Sequence, residues 1–116
     1  MRRGEIRLVD LEPVRGSGSR VRCPAVIVSN DGANAAAGSR GSGAVTVIPL
    51  TTRVEHVYPF QALVSSDVAG LPDDTKAHAE QVRSVSVERI GPKVGMIPAA
   101  AMGDIDRALR LQLGLV

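Results

Sequence analysis

The sequence predicts a β-rich α+β fold: a small, strongly bent sheet or barrel that is covered by one C-terminal helix. Most of the chain consists of short alternating or continuously apolar runs separated by turn residues, which is typical of strands. Only the last segment has a helical period. With 116 residues, of which 44% are hydrophobic and 22% charged, the chain is long enough for about one hydrophobic core. We therefore expect residues 1–116 to form a single domain.

The first two apolar segments predict strands. GEIRLVDLEP alternates apolar and polar residues and ends at Pro13. PAVIVSND is a continuous, β-branched run of the kind found in buried strands, and it ends in the turn residues Asn30, Asp31 and Gly32. The next segment, GANAAAGSRGSG, is so rich in glycine that we expect a loop, with at most one helical turn over residues 34–37.

The middle of the chain predicts further strands. AVTVIPLTT alternates again, and Pro49 indicates an edge or a bulge near its end. YPFQALVS predicts a strand and GLPDDTK a turn. KAHAEQVRSVS has the alternation of one half-buried strand, and ERIGPKVGMIP ends in another short strand.

The C-terminal segment predicts an amphipathic helix that begins after Pro98 and ends at Gly114. Its apolar residues recur at intervals of three and four: Met102, Ile105, Leu109 and Leu113. Its charged residues lie on the other side: Asp104, Asp106, Arg107 and Arg110.

Several classes of protein are excluded by simple features. No apolar run approaches the roughly 20 residues of a membrane helix, so we expect no membrane association. The arginines at the start are followed by charged residues rather than an apolar region, so no signal peptide is expected. A single cysteine cannot form an internal disulfide, and the cytoplasm is therefore the expected compartment.

The basic residues are mostly arginines rather than lysines. Twelve of the 14 are arginines, although the net charge is only +2. Arginine presents a planar fork of donors that matches phosphate oxygens. A GC-rich genome, which favours arginine codons, explains the same bias, and composition alone favours this second explanation.

Common catalytic signatures are missing from the sequence. It has no phosphate-binding GxxxxGK[ST] motif, no GxSxG motif and no cysteine–histidine spacing typical of a metal site, so we expect no metal and no cofactor. His56 and His78 could form an acid–base pair or simply be partly exposed, and His78 is the better candidate. One tyrosine and one phenylalanine predict no aromatic platform for stacking bases.

Four segments occur in an order that identifies a family. RRGEIRLVDLEPVRGSGS, RCPAVIVSND, VTVIPLTT and AEQVRSVSVERI…VGMI together resemble the MazF/PemK family of toxin endoribonucleases, from residue 3 to about residue 113. The resemblance implies a small SH3-like β-barrel, similar to the gyrase-poisoning CcdB toxins, and a symmetric homodimer. It also implies metal-independent, sequence-specific cleavage of single-stranded RNA by attack of the ribose 2′-OH. The resemblance further implies that an antitoxin inhibits the enzyme by covering the RNA-binding surface with an extended acidic tail.

The resemblance assigns two catalytic positions, and this chain departs from the family at one of them. The family threonine maps onto Thr51, but the family arginine, directly before the proline of the second strand, maps onto Cys23. A thiol cannot neutralise a phosphorane. Three explanations are open: Arg22 compensates from a loose loop, the site is weakened, or Arg20 or His78 has assumed the charge.

The resemblance also implies RNA-binding positions. Ser17 and the arginines of residues 15–22 form either a mobile lid that handles phosphate or a solvated surface loop, and we favour the lid. The RNA-binding residues implied are: Arg15, Ser17, Arg20, Glu80, Gln81 and Arg83. For Glu80 and Arg83 a surface ion pair is the alternative. The alternative for the whole protein, favoured by Cys23, is a weakened or non-catalytic toxin-fold protein that binds antitoxin or a protein target.

Overall fold

The structure, a computed structural model, describes residues 1–11 and 22–115. Within these residues the strands are β1 (Glu5–Asp10), β2 (Arg22–Ile27), β3 (Ala44–Thr51), β4 (Gln61–Val64), β5 (Thr75–His78), β6 (Arg83–Ser86) and β7 (Ile90–Met96). The helices are α1 (Asp31–Arg40), α2 (Ser66–Ala69) and α3 (Met102–Leu113). Short 3₁₀ turns span Ala79–Gln81, Val87–Arg89 and Ala99–Ala101.

The strands form one antiparallel sheet in the order β4-β5-β3-β2-β1-β7, and β6 also pairs with β3. On one edge β3 contacts β2. On its other edge, residues 44–47 pair with β6, and Leu50 and Thr51 pair with β5. The β-rich fold with a C-terminal helix is confirmed, although the described strands make an open, branched sheet rather than a closed barrel.

The branching of β3 explains two differences from the sequence-based expectations. Pro49 is not in an edge strand; it lies where the neighbour of β3 changes from β6 to β5, a place that tolerates a residue without an N–H. The segment KAHAEQVRSVS is not one strand. It is divided into β5 and β6 by the turn Ala79–Gln81, because the two parts pair with different halves of β3.

Both faces of the sheet are buried in the region of β2 and β3. Val26 and Ile48 belong to one apolar cluster, whereas Ala25 and Ile27 belong to another. Helix α3 covers the first cluster, and Ala37 of α1 contributes to the second. This burial on two faces is the reason that β2 has a continuously apolar sequence.

Helix α1 corrects the expectation of a loop in the glycine-rich segment. The Asn30 side chain caps the helix by accepting from Ala33 N at 2.8 Å. Asn34 is fully buried, and its Nδ2 donates to Ser29 O at 2.8 Å. Gly41 ends the helix in a left-handed conformation, with φ of 67°. Capping and a buried hydrogen bond therefore outweigh the low helix propensity of glycine.

Helix α3 ends before Gly114 as expected, with φ of 68° at that glycine. Met102, Ile105 and Ala108 are its buried residues. Leu113, which the apolar period placed with them, is 54% exposed. The last turn of the helix is thus not covered by the sheet, and the short helix α2 was not expected from the sequence either.

The Arg-Gly-Glu opening of β1 has a structural role. Glu5 is buried, and its Oε1 accepts from Arg7 Nη2 at 2.7 Å and from Arg7 Nε at 2.9 Å. Its Oε2 accepts from Arg2 N at 2.9 Å. Gly4 has φ of 96°, and a Cβ there would lie 2.7 Å from Ile97 O, so only glycine fits. These contacts fix the start of β1 against the segment that leads to α3.

The Glu5–Arg7 pair predicts a pH-dependent stability. Burial alone would raise the pKa of Glu5, but the hydrogen bond and charge of Arg7 outweigh it, and the pKa is lowered. A lowered pKa stabilises the fold above the unfolded-state pKa, and this stabilisation is lost as the pH falls through the folded-state pKa. We expect Glu5→Gln to lower Tm at neutral pH by roughly 4–8 °C, as for a loss of about 1 kcal/mol.

The check is thermal unfolding of both proteins from pH 7 to pH 2. The difference in Tm should shrink once the pH is below the usual glutamate range, because protonated Glu5 then resembles glutamine. Glu55→Gln, at an exposed position, is the matched control and should leave Tm nearly unchanged. A Glu5→Gln deficit that stays constant down to pH 2 would contradict the role of the charge.

Candidate active site

Strand register brings Thr51 and Cys23 together. The pairing of β2 with β3 matches Ala25 with Pro49 and Val26 with Ile48. Continuing this register by two residues places Cys23 opposite Thr51, and both residues belong to their strands. Residues opposite each other in an antiparallel pair point to the same face. We call the face that carries Cys23 and Thr51 the Thr51 face.

The Cys23 side chain lies at the edge of an apolar cluster. It is half-buried, and it packs against the cluster that contains Val9, its register partner on β1. A thiol is a weak hydrogen-bond donor. Cys23 therefore extends the apolar packing toward Thr51 and brings no cation to that position.

Arg22 lies on the opposite face. It pairs with Asp10 in the same ladder in which Cys23 pairs with Val9, so alternation directs the two side chains to different sides. Its guanidinium contacts β7, since a Cβ on Gly91 would lie 3.0 Å from Arg22 Nη1. The structure does not bring Arg22 together with Thr51.

The Thr51 hydroxyl is held at the end of β3. Its Oγ1 accepts a hydrogen bond from Arg53 N at 3.3 Å, and the residue is half-buried. This contact uses the hydroxyl only as an acceptor, whereas a threonine hydroxyl can also donate. Thr51 can thus donate to an oxygen of a bound ligand without losing its own anchor.

Lys76 lies on the other side of Thr51. It is the register partner of Thr51 on β5, which places both side chains on the Thr51 face. Lys76 is 7% exposed, its Nζ donates to His56 O, and Nζ is 5.8 Å from the ring centroid of Tyr58. The residue was missed in the sequence because nothing in the local pattern identifies the partner of a strand.

His78 is also on the Thr51 face, two residues along β5 from Lys76. Its Nδ1 lies 3.3 Å from Gln61 Nε2 and 3.5 Å from Glu80 Oε2. Gln61 is buried and donates to Glu80 Oε2 at 2.6 Å. Both contacts are made through Nδ1, whose role as donor or acceptor depends on the tautomer, and neither involves Nε2.

The implied RNA-binding residues after β5 are dispersed. Arg83 is exposed and pairs with Val47, so it lies on the Thr51 face, four residues along β3 from Thr51. Gln81 is exposed in the turn that precedes β6. The carboxylate of Glu80 accepts a hydrogen bond from Gln61 Nε2, on a different strand from Arg83. Arg83 also lines a shallow cleft with Arg89.

The implied residues of the first loop, Arg15, Ser17 and Arg20, lie outside the described residues. The lid that handles phosphate therefore stays a prediction.

The few aromatic rings of the chain lie close together. The rings of Tyr58 and Phe60 are stacked, with centroids 5.3 Å apart and an interplanar angle of 7°. The His56 ring lies 4.3 Å from that of Tyr58. A small cluster of rings is thus present in the segment that follows Thr51.

Residues 1–11 and 22–115 lack two features that would indicate other functions. None of the described helices is long and apolar enough to cross a membrane. No group of three histidine, cysteine, aspartate or glutamate side chains in this part of the chain is placed to hold a metal ion.

Comparison with known proteins gives a consistent picture. Residues 2–113 match the family model described as a PemK-like, MazF-like toxin of type II toxin–antitoxin systems. The chain is 50% identical to endoribonuclease MazF9 of Mycobacterium tuberculosis over 99% of this chain and 98% of that protein. It is 58% identical to the probable endoribonuclease MazF1 of the same organism, over 56% of this chain and 69% of that protein.

Solved structures share the fold. An endoribonuclease in complex with its cognate antitoxin, from a mycobacterial species, superposes with a TM-score of 0.76 at 26% identity, covering 100% of this chain and 97% of that chain. The structure of MazF (Form-I) from Deinococcus radiodurans superposes with a TM-score of 0.74 at 22% identity, covering 98% and 96% of the two chains. At this lower identity the likeness concerns the fold alone.

The register of Cys23 and Thr51 predicts a specific cross-link. Because Cys23 is the single cysteine, Thr51→Cys creates one possible intramolecular disulfide. Directly opposed strand residues have Cβ atoms about 4.5–5.5 Å apart, close to the distance that a disulfide needs. We expect oxidised Thr51→Cys to lose its reactivity toward a thiol reagent and to regain it on reduction.

The matched control is Thr52→Cys, which by alternation belongs to the opposite face. It should keep two reactive thiols under the same oxidant. Equal cross-linking in the two variants, measured by mass spectrometry of the intact monomer, would show that the register does not continue to Thr51.

Proposed function

Because the chain belongs to the PemK-like, MazF-like family of toxins of type II toxin–antitoxin systems, we propose that it is a sequence-specific endoribonuclease. Its substrate is single-stranded RNA, either messenger, transfer or ribosomal RNA, and it acts in the cytoplasm. Cleavage needs no metal ion. The observation that carries the proposal is the 50% identity, over nearly the whole chain, to an endoribonuclease. The register of β2 and β3, which when continued by two residues puts Thr51 opposite the position of the family arginine, supports it.

The proposed reaction is an internal transesterification. The ribose 2′-OH loses its proton and attacks the adjacent phosphorus, a new O2′–P bond forms, and the P–O5′ bond breaks. The leaving O5′ takes up a proton, which gives a 2′,3′-cyclic phosphate and a 5′-hydroxyl. The enzyme must move these protons and stabilise the charge on the phosphorane.

Thr51 and His78 suit these tasks. The Thr51 hydroxyl can donate to a non-bridging phosphate oxygen while its oxygen accepts from Arg53 N. His78 is held at Nδ1 by Glu80 and Gln61, which directs its other nitrogen away from these partners and leaves it available for proton transfer. Both side chains lie on the Thr51 face, diagonally placed on neighbouring strands, at about 7–8 Å by strand geometry.

RNA binding extends from this centre in the proposal. Arg83 contacts a phosphate, and Gln81 reads a base edge through its amide. Arg15, Ser17 and Arg20 contact further phosphate oxygens of the RNA. A cognate antitoxin covers the same surface with an acidic tail, and the complex of a similar endoribonuclease with its antitoxin supports this partner.

One observation favours a second candidate function. Cys23 brings no positive charge to the position of the family arginine, and Arg22 points away from Thr51. A protein with a weakened or absent ribonuclease activity could still bind its antitoxin or poison a protein target. The two functions differ in whether the purified protein cleaves RNA at all.

Substitution of Thr51 tests the proposed activity. We expect wild-type protein to cleave total RNA in the presence of a chelator and to leave 5′-hydroxyl ends. Thr51→Ala should lower the cleavage rate by about 10²–10³-fold, as for the loss of one donor to a developing anion. Thr52→Ala is the matched control and should cleave like the wild type.

Thermal unfolding of each variant separates catalysis from folding. If Thr51→Ala is largely unfolded at the assay temperature, its loss of activity reflects a structural role of Thr51 and not a catalytic one. Intact RNA in the wild-type reaction, together with tight binding to the antitoxin, would support the second function instead.

Assembly gives a separate prediction. We expect a homodimer, because a two-fold axis allows one RNA groove to be built from two copies of the Thr51 face. Light scattering at micromolar concentration measures the mass directly, and the 12.1 kDa chain makes a monomer easy to distinguish from a dimer. A monomer under these conditions would contradict the proposed assembly.

A further inference from the structure

We propose that Lys76 supplies the positive charge that Cys23 cannot supply, from the other side of Thr51. This inference rests on the proposed ribonuclease function and names a catalytic residue for it. Thr51 pairs with Lys76 of β5, and continuing the β2–β3 register by two residues places Cys23 on its other side, so the three residues share the Thr51 face. A phosphate held by Thr51 therefore has a thiol on one side and an ammonium on the other.

Lys76 is better placed than three arginines that could also supply a charge near Thr51. Arg22 lies on the opposite face, against Gly91. Arg83 is on the Thr51 face but pairs with Val47, which is about 13 Å along the strand from Thr51. Arg53 is exposed and follows the end of β3, so nothing in the strand ladder fixes its side chain.

The position of Lys76 is fixed before any ligand binds. Its side chain is 7% exposed, and its Nζ donates to the backbone oxygen of His56 and lies near the Tyr58 ring. The segment that contains His56 and Tyr58 is also held without Lys76, since Gln61 Oε1 accepts from Tyr58 N at 3.2 Å. An ammonium has three donors, and the His56 carbonyl uses one of them.

A partly buried ammonium suits a developing anion. Burial removes water from the charge, so its interaction with an anion is stronger than at the surface. A preorganised charge also costs no rearrangement when the phosphorane forms. A lysine acts as a point charge rather than a two-pronged donor, and it can replace the charge of an arginine without reproducing its geometry.

The alternative role for Lys76 is structural: it would only hold the His56–Tyr58 segment against β5. The two roles differ in whether a charge placed at Cys23 can replace Lys76. An arginine at position 23 approaches Thr51 from β2 and has no contact with the His56 carbonyl on the other side. This arginine can therefore restore a missing positive charge, but it cannot hold the His56–Tyr58 segment in place.

The test is a double-mutant cycle on single-turnover cleavage at saturating RNA with chelator, using wild type, Lys76→Gln, Cys23→Arg and the double variant. We expect Lys76→Gln to slow the chemical step by about 10²-fold while the affinity for RNA changes less. Cys23→Arg should accelerate Lys76→Gln by a similar factor and the wild type by much less. Such non-additivity indicates that both residues serve one function.

Two controls accompany the cycle. Lys93→Gln removes the only other lysine, which is exposed on β7, and should keep the wild-type rate. Lys76→Met keeps the apolar length of the side chain and replaces Lys76→Gln if the latter does not fold. Lys76→Arg keeps the charge and should retain more activity than either.

The outcomes separate this inference from the proposed function. If wild-type protein does not cleave RNA, the proposed function fails first. If wild type cleaves and folded Lys76→Gln cleaves at a similar rate, Lys76 is not catalytic. If Lys76→Gln is slow and Cys23→Arg does not accelerate it, Lys76 is structural and the inference is overturned.

Discussion

The pairing of β3 with three other strands is the constraint on which the rest of the structure depends. β2 occupies one edge of β3, and β6 and β5 divide the other edge between them. The sheet built in this way has an apolar cluster on each face. It also places Cys23 and Lys76 on the two sides of Thr51, so the same hydrogen-bond ladder that builds the core assembles the candidate site.

The remaining contacts hold this ladder in place. Arg3 connects three parts of the chain: its backbone N donates to Asp31 at 2.6 Å, its Nε to Val28 O at 2.8 Å, and its Nη2 to Asp106 at 2.5 Å. It thereby links the start of α1 and the middle of α3 to the beginning of β1. The buried carboxylate of Glu5 fixes the next residues. The RRGE sequence at the start of the chain thus has a packing role.

Some features of the fold were readable from residue patterns because their causes are local. Alternation in β1 and β3, the apolar run of β2 and the three-and-four period of α3 reflect which side chains face a core. Helix α1 was not predicted, since its stability comes from the cap at Asn30 and the buried side chain of Asn34. Both contacts join residues that are close in sequence, but the burial of Asn34 depends on the packing of α1 against β3, and glycine content alone is a poor guide to it.

The sequence by itself determined the family, the β-rich class with its C-terminal helix, and the departure at Cys23, because these depend on residue identity and order. Only the tertiary structure decided the geometry around that departure. Whether Arg22 points toward Thr51 depends on the alternation of side chains along β2. Whether Lys76 lies beside Thr51 depends on which strands pair and in what register. The hydrophobic pattern specifies which side chains of a strand are buried, but it does not say which distant strand is the partner, and the partner of Thr51 on β5 is far along the chain.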